Sequence, residues 1–173
     1  MINKSIILIS GEPKSIFLEI FFKAKKNKNY KSPLILICCK KILLNQMKRY
    51  KIKKKINILE INKLKKYKLN NNNINLIDIR YKKINKNSVN EYLANSFELA
   101  LGLIKNKFSY KLINGPINKM SFLNKKFLGV TEYICHKYKV KNAGMLIYNK
   151  DLSVCPLTTH LPIKLIAKKI TKK

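Results

Sequence analysis

Ile6 to Ser10 (Ile-Ile-Leu-Ile-Ser) is an unbroken apolar run closed by Gly11 and Pro13, the pattern of a strand buried on both faces. Ser15 to Lys26 changes to helical spacing, so the chain opens as strand, turn, helix. Pro33 to Cys39 and Lys41 to Tyr50 repeat that order. Two such units predict an α/β fold with a mostly parallel or mixed sheet flanked by helices. The tract from Lys51 to Asn75 holds a strand-like Ile56 to Ile61 and is otherwise polar and low in complexity; its Asn70 to Asn73 run reads as a loop or an expansion, with no function attached.

From Ser88 to Lys105, Val89, Leu93, Phe97, Ala100, Leu101 and Ile104 recur at helical intervals. Ser88 and Glu91 stand at the spacing of a capping box. Tyr110 to Ile113 reads as a strand, Glu132 to Tyr138 as a helix, Gly144 to Tyr148 and Leu152 to Leu157 as two more strands, and a last helix begins near Pro162. No repeat and no Gly/Ser-rich linker divides the chain, so residues 1–173 are expected to form a single α/β domain.

Composition changes this picture little. The longest apolar runs fall short of the ~18 to 20 residues that span a bilayer, and the start of the chain lacks the apolar stretch of a secretory signal, so a cytoplasmic protein without a membrane anchor is expected. Cys38, Cys39, Cys135 and Cys155 form no CxxC pair, and the expectation is reduced, buried thiols. The net charge of +30 by itself suggests a polyanion partner. Lysine, however, is spread over the whole chain together with abundant Asn and Ile, as A/T-rich codons would produce. Arg49 and Arg80 are the only arginines, and arginine is the residue that reads bases and phosphates bidentately. This argues against nucleic acid and leaves a general attraction for phosphorylated metabolites.

Four segments place polar residues and glycines at strand ends or helix starts, where open α/β sheets bind ligands: Gly11-Glu12-Pro13, Asn114 to Lys119, Gly129 to Glu132, and Thr158 to Pro162. Taken singly, each has an ordinary structural explanation. Gly-Glu-Pro and Gly-Pro-Ile make turns, Thr131 and Glu132 can cap a helix, and His160 can be a satisfied histidine at a strand end as readily as a metal ligand or an acid/base group.

In order and together, GEPKSIFLE (Gly11 to Glu19), GPINK (Gly115 to Lys119), GVTE (Gly129 to Glu132) and TTHLP (Thr158 to Pro162) resemble the motifs of the 4-hydroxythreonine-4-phosphate dehydrogenase family, over essentially the whole chain. The resemblance implies an isocitrate/isopropylmalate-dehydrogenase-like fold, present here as the N-terminal portion only. It implies NAD-dependent, metal-dependent oxidation of 4-phosphohydroxy-L-threonine with decarboxylation, in pyridoxal phosphate (vitamin B6) biosynthesis. It further implies a divalent cation (zinc, magnesium or cobalt) with His160 as one ligand, Thr131 as a substrate contact, and Asn118 and Lys119 along the same cleft. The expected partners are a small phosphorylated substrate and either a second copy in a homodimer or a separate C-terminal polypeptide.

The departures are specific. Val130 stands where the family's motif has histidine and can neither donate nor accept a hydrogen bond. Ser15 and Phe17 replace glycines of the opening motif, and Asn118 replaces histidine in GPINK. The family's other two metal histidines, a substrate-binding lysine and arginine, and most NAD contacts lie further along than this sequence runs, and one histidine does not make a three-ligand site. The only other histidine, His136, reads as an exposed or packing residue. The alternative readings are a catalytically inactive remnant or interaction protein, and a basic nucleic-acid-binding module.

Overall fold

The computed structural model describes residues 4–27, 30–83, 85, 87–124, 126–141, 143–158 and 161–170. The chain divides into two compact units, Met1–Phe122 and Leu123–Lys173, with no Gly- or Ser-rich stretch at the join.

The first unit is built on five parallel strands, β1 (Ile6–Ile9), β2 (Leu34–Cys38), β3 (Ile56–Ile58), β4 (Ile74–Asp78) and β5 (Lys111–Asn114), in the order β3-β4-β2-β1-β5. The parallel half of the sequence expectation therefore holds. β1 pairs Ile6 with Leu34 on one side and with Lys111 on the other. Helices α1 (Phe17–Asn27) and α2 (Lys40–Arg49) cover one face. There Phe17, Leu18, Phe21 and Phe22 of α1 and Leu43 and Met47 of α2 pack on Leu8, Leu36, Cys38 and Leu76. Each such side chain, fully buried, contributes about 1.5 to 3 kcal/mol. Helix α3 (Ser88–Lys105) packs against β1 and β2 through Tyr92, Leu93, Phe97 and Ala100, all buried. The short α4 (Lys119–Phe122) rests on α3, with Phe122 stacked on Phe97 at 5.6 Å and Asn90 and Ser121 exchanging hydrogen bonds of 3.1 Å.

Several local expectations are corrected. The strand read over Ile56 to Ile61 ends at Ile58, and Ile61–Lys66 is a 3₁₀ turn. β4 is absent from the sequence reading, whose polar tract ends inside it at Asn75, an unusual strand residue. Asn75 is buried with its amide donating to Leu34 O (3.0 Å) and Asn70 O (2.8 Å), which removes the cost of burying it. The asparagine run is structural: Asn71 Nδ2 donates to Tyr30 O (2.8 Å) and Ser32 O (2.9 Å), and Asn71 Oδ1 accepts from Leu34 N (2.9 Å). Ser88 is the first residue of α3 and Asn87 its N-cap, so Ser88 does not hold the capping position; its Oγ accepts from Asn85 N at 3.0 Å.

The second unit contains α5 (Val130–Tyr138) and α6 (Ile163–Lys169). The two strands expected over Gly144 to Tyr148 and Leu152 to Leu157 shrink to one antiparallel bridge, in which Ile147 and Val154 exchange backbone hydrogen bonds of 2.8 and 2.9 Å. Both segments are largely exposed, and an isolated pair without a packed face is marginal as a sheet. Among the described residues no helix is long and apolar enough to cross a membrane. All four cysteines are free; Cys38 and Cys39 are buried as expected, whereas Cys135 is half-buried and Cys155 exposed.

Candidate functional site

The chain leaves β1 toward β2 on one side and returns from β4 to β5 on the other, so the sheet's order switches between β1 and β5. In an open parallel sheet the loops after two such strands diverge and leave a crevice at the strands' carboxyl ends. Here those loops are Gly11-Glu12-Pro13 and Gly115 to Asn118, the first two motifs singled out in the sequence. Ile9 O accepts from Gly115 N (2.7 Å), Pro116 O accepts from Glu12 N (3.0 Å), and Glu12 Oε1 accepts from Asn118 N (2.6 Å). Asn118 Oδ1 in turn accepts from Ser121 N (3.1 Å), capping α4. Asn118 is thus a loop-ordering residue, and Lys119 is exposed at the first position of α4.

Both glycines are dictated by this approach. Gly11 has φ +73° and a Cβ there would drive into the carbonyl oxygen of Pro116; a Cβ on Gly115 would drive into the carbonyl of Ser10 and reach the Phe17 ring at 2.9 Å. The same edge is held from beneath by Tyr92, whose hydroxyl lies 3.0 Å from Ser10 Oγ and accepts from Cys39 N at 3.2 Å. Burial raises the Tyr92 phenol and pushes the Cys38 thiol up to about 11, so both stay neutral and Cys38 is no nucleophile. At the next strands along, Asp78 Oδ1 accepts from Lys40 N (2.7 Å) and serves the first turn of α2, whose own N-cap, Cys39, makes no such bond. Cys39, Lys40, Asp78, Arg80, Tyr81 and Lys82 line a cavity of about 620 Å³ beside them.

In the second unit, Gly129 is the N-cap of α5, and Val130, Thr131 and Glu132 form its first turn. A Cβ on Gly129 would meet Glu132 Oε2 at 2.7 Å, so the carboxylate folds back over the helix start. Thr131 is exposed and, with Glu132, Cys135, Met145, Pro156 and Leu157, lines a cavity of about 230 Å³. The GVTE motif and the segment leading into TTHLP therefore share one recess. His136 is exposed with its ring 5.2 Å from Phe127, which agrees with the packing reading. His160 and Thr159 lie outside the described residues. Among the described residues no three His, Cys, Asp or Glu side chains come together to hold a metal ion, and the chain has only two histidines. The described donor set does not fit a three-ligand metal centre.

Sequence reasoning missed Tyr92, Asp78 and Asn71. Each acts through a partner 37 to 82 residues away. Only Tyr92 left a signal, as a polar residue beside an apolar helix face.

The family model for the pyridoxal phosphate biosynthetic protein PdxA matches residues 30–173. The chain is 30% identical over 174 residues to the 4-hydroxythreonine-4-phosphate dehydrogenase of Wigglesworthia glossinidia brevipalpis, covering 94% of this chain and 51% of that protein. With the enzyme of the same name from Aquifex aeolicus (strain VF5) it shares 28% over 182 residues, covering 99% and 54%. The chain spans about half the length of both curated relatives. The crystal structure of a 4-hydroxythreonine-4-phosphate dehydrogenase from Burkholderia phymatum superposes with a TM-score of 0.78 at 18% identity, over 97% of this chain and 53% of that one, which shows a shared fold.

Proposed function

Because the chain belongs to the pyridoxal phosphate biosynthetic protein PdxA family, we propose that it supplies the N-terminal portion of a 4-hydroxythreonine-4-phosphate dehydrogenase site and acts in vitamin B6 biosynthesis. The 173 residues are equivalent, on this reading, to the N-terminal part of the enzyme. The reaction is the NAD-dependent, metal-dependent oxidation of 4-phosphohydroxy-L-threonine with loss of carbon dioxide. The observation that carries the reading is the crevice at the β1/β5 switch, where two collinear motifs are locked together through Glu12, Pro116 and Asn118.

The residues of this chain have defined parts in that proposal. Thr131 offers an exposed hydroxyl in the first turn of α5, on the wall of the recess that it shares with Met145 and Pro156, where it can donate a hydrogen bond to the substrate. The surrounding positive field attracts the phosphorylated substrate and the dinucleotide. His160 is assigned as one ligand of the divalent cation, which when bound would polarise the alcohol oxygen of the substrate; the described residues supply no three-ligand set for it. Val130 replaces a polar contact by an apolar one, which weakens substrate binding by the worth of a hydrogen bond, about 0.5 to 1.5 kcal/mol.

Homodimerisation accords with Leu146, Tyr148, Leu152 and Leu157, each more than 60% exposed around the Ile147–Val154 bridge, an apolar surface of the kind that partners cover. A cytoplasmic setting goes with this function.

The test is NADH formation from NAD and 4-phosphohydroxy-L-threonine with a divalent metal, using the 173-residue chain alone and mixed with the C-terminal half of the Wigglesworthia relative. Turnover in the mixture that is lost in His160→Ala is expected. A mixture with neither turnover nor binding of NAD would sink the proposal.

A further inference from the structure

We propose that the recess between the end of α1 and the Asn70–Asn73 turn, centred on Lys25 and Lys54, is a binding site for a small inorganic or organic polyphosphate anion. Two adjoining cavities, of about 450 and 520 Å³, share these two lysines. Lys31 lines the first, and Lys26, Lys51 and Lys53 line the second. Among the described residues that line them there is no Asp or Glu. Glu19, the one acid on α1, does not itself line either cavity and is held by Lys23 (2.6 Å) and by the hydroxyl of Tyr50 (2.7 Å), a residue that lines the second.

Lys25 differs from the solvated lysines that cover this chain. It is half-buried, and its ammonium donates to Asn71 O (3.0 Å) and Asn73 O (2.9 Å), which occupy two of its three N–H groups. Burial without a counter-charge holds its pKa down to about 8, and the neighbouring Lys54 charge acts in the same direction. A cation in this position is destabilised until an anion meets it. Two mutually repelling lysines with four more around them call for a ligand with several negative charges, which a chain of phosphates provides. The site lies at the N-terminal ends of β2 and β4, because Pro33 and Asn73 immediately precede those strands. The β1/β5 crevice is at the opposite end of the sheet. A ligand here leaves that crevice open, and the inference stands or falls apart from the dehydrogenase reading.

The experiment is isothermal titration of the chain with inorganic tripolyphosphate at about 0.15 M salt, where diffuse surface attraction is screened within about 8 Å. Variants are Lys25→Gln, Lys54→Gln, and the control Lys150→Gln/Lys164→Gln, which removes two exposed charges from the other unit. One ligand per chain is expected, bound about tenfold more weakly by each single variant and with unchanged affinity by the control. Because Lys25→Gln also loosens the Asn71–Asn73 turn, Lys54→Gln decides the outcome. Several weak ligands per chain, equal weakening in all three variants, or an unaltered Lys54→Gln would overturn the proposal. So would a single-stranded oligonucleotide that displaces tripolyphosphate and binds Lys54→Gln undiminished, which would assign the charge to nucleic acid.

Discussion

Replacing Gly11 by alanine should damage the crevice more than any other change of one methyl group. Two costs add at this position. The residue sits at φ +73°, where an L side chain costs roughly 1 to 2 kcal/mol. The new Cβ would also press on the Pro116 carbonyl, which cannot yield freely because it accepts from Glu12 N while Gly115 N is tied to Ile9 O. Overpacking against a fixed group costs about 1 to 3 kcal/mol. The sum is about 2 to 5 kcal/mol, and at about 2 to 4 °C per kcal/mol for a chain of this size the midpoint of thermal unfolding should fall by roughly ten degrees. Gly102→Ala is the matched control: it lies inside α3 with nothing within 4 Å of the added Cβ, so it should stabilise by about 0.5 to 1 kcal/mol. Urea and thermal unfolding of both variants beside the parent measure the difference. Equal midpoints for Gly11→Ala and Gly102→Ala would refute the claim that the two loops meet as closely as described.

Three further outcomes are expected. Tyr92→Phe removes the acceptor for Cys39 N and the partner of Ser10 Oγ beneath the same crevice, and should lower the unfolding free energy in urea by about 1 to 3 kcal/mol; no loss would mean that water replaces the hydroxyl. Asn71→Ala deletes three hydrogen bonds to the 30–34 backbone and should cost about 2 to 4 kcal/mol, with faster amide exchange at Leu34 as its local signature. The Lys25 ammonium has its pKa lowered to about 8 in the folded chain. Between pH 8 and the ordinary lysine range near 10.4 the unfolded chain therefore binds more protons, and stability contributed by this group rises with pH. The parent should gain stability relative to Lys25→Met across that window, and parallel pH curves for the two would overturn the assignment.

The sequence by itself determined the α/β class, because strands buried on both faces must be continuous apolar runs, and Ile6–Ile9 and Leu34–Cys38 are. It also determined the helices α1, α2, α3 and α5 to within a few residues, since their apolar positions recur at the helical period. The four motifs were legible for a similar local reason: glycine and proline mark where backbone must turn or approach. What tertiary structure decided is what those turns meet. That Gly11 faces Pro116, that Glu12 holds Asn118, and that Tyr92 closes the strand ends from below depend on contacts across 82 to 106 residues, which no local period encodes. β4 escaped for the same reason, as a buried asparagine is tolerable only when Leu34 O and Asn70 O are there to receive its amide. Conversely, the apolar residues of 144–157 read as strands, yet a strand needs a partner to pair with and a face to bury. The fold supplied only the Ile147–Val154 bridge.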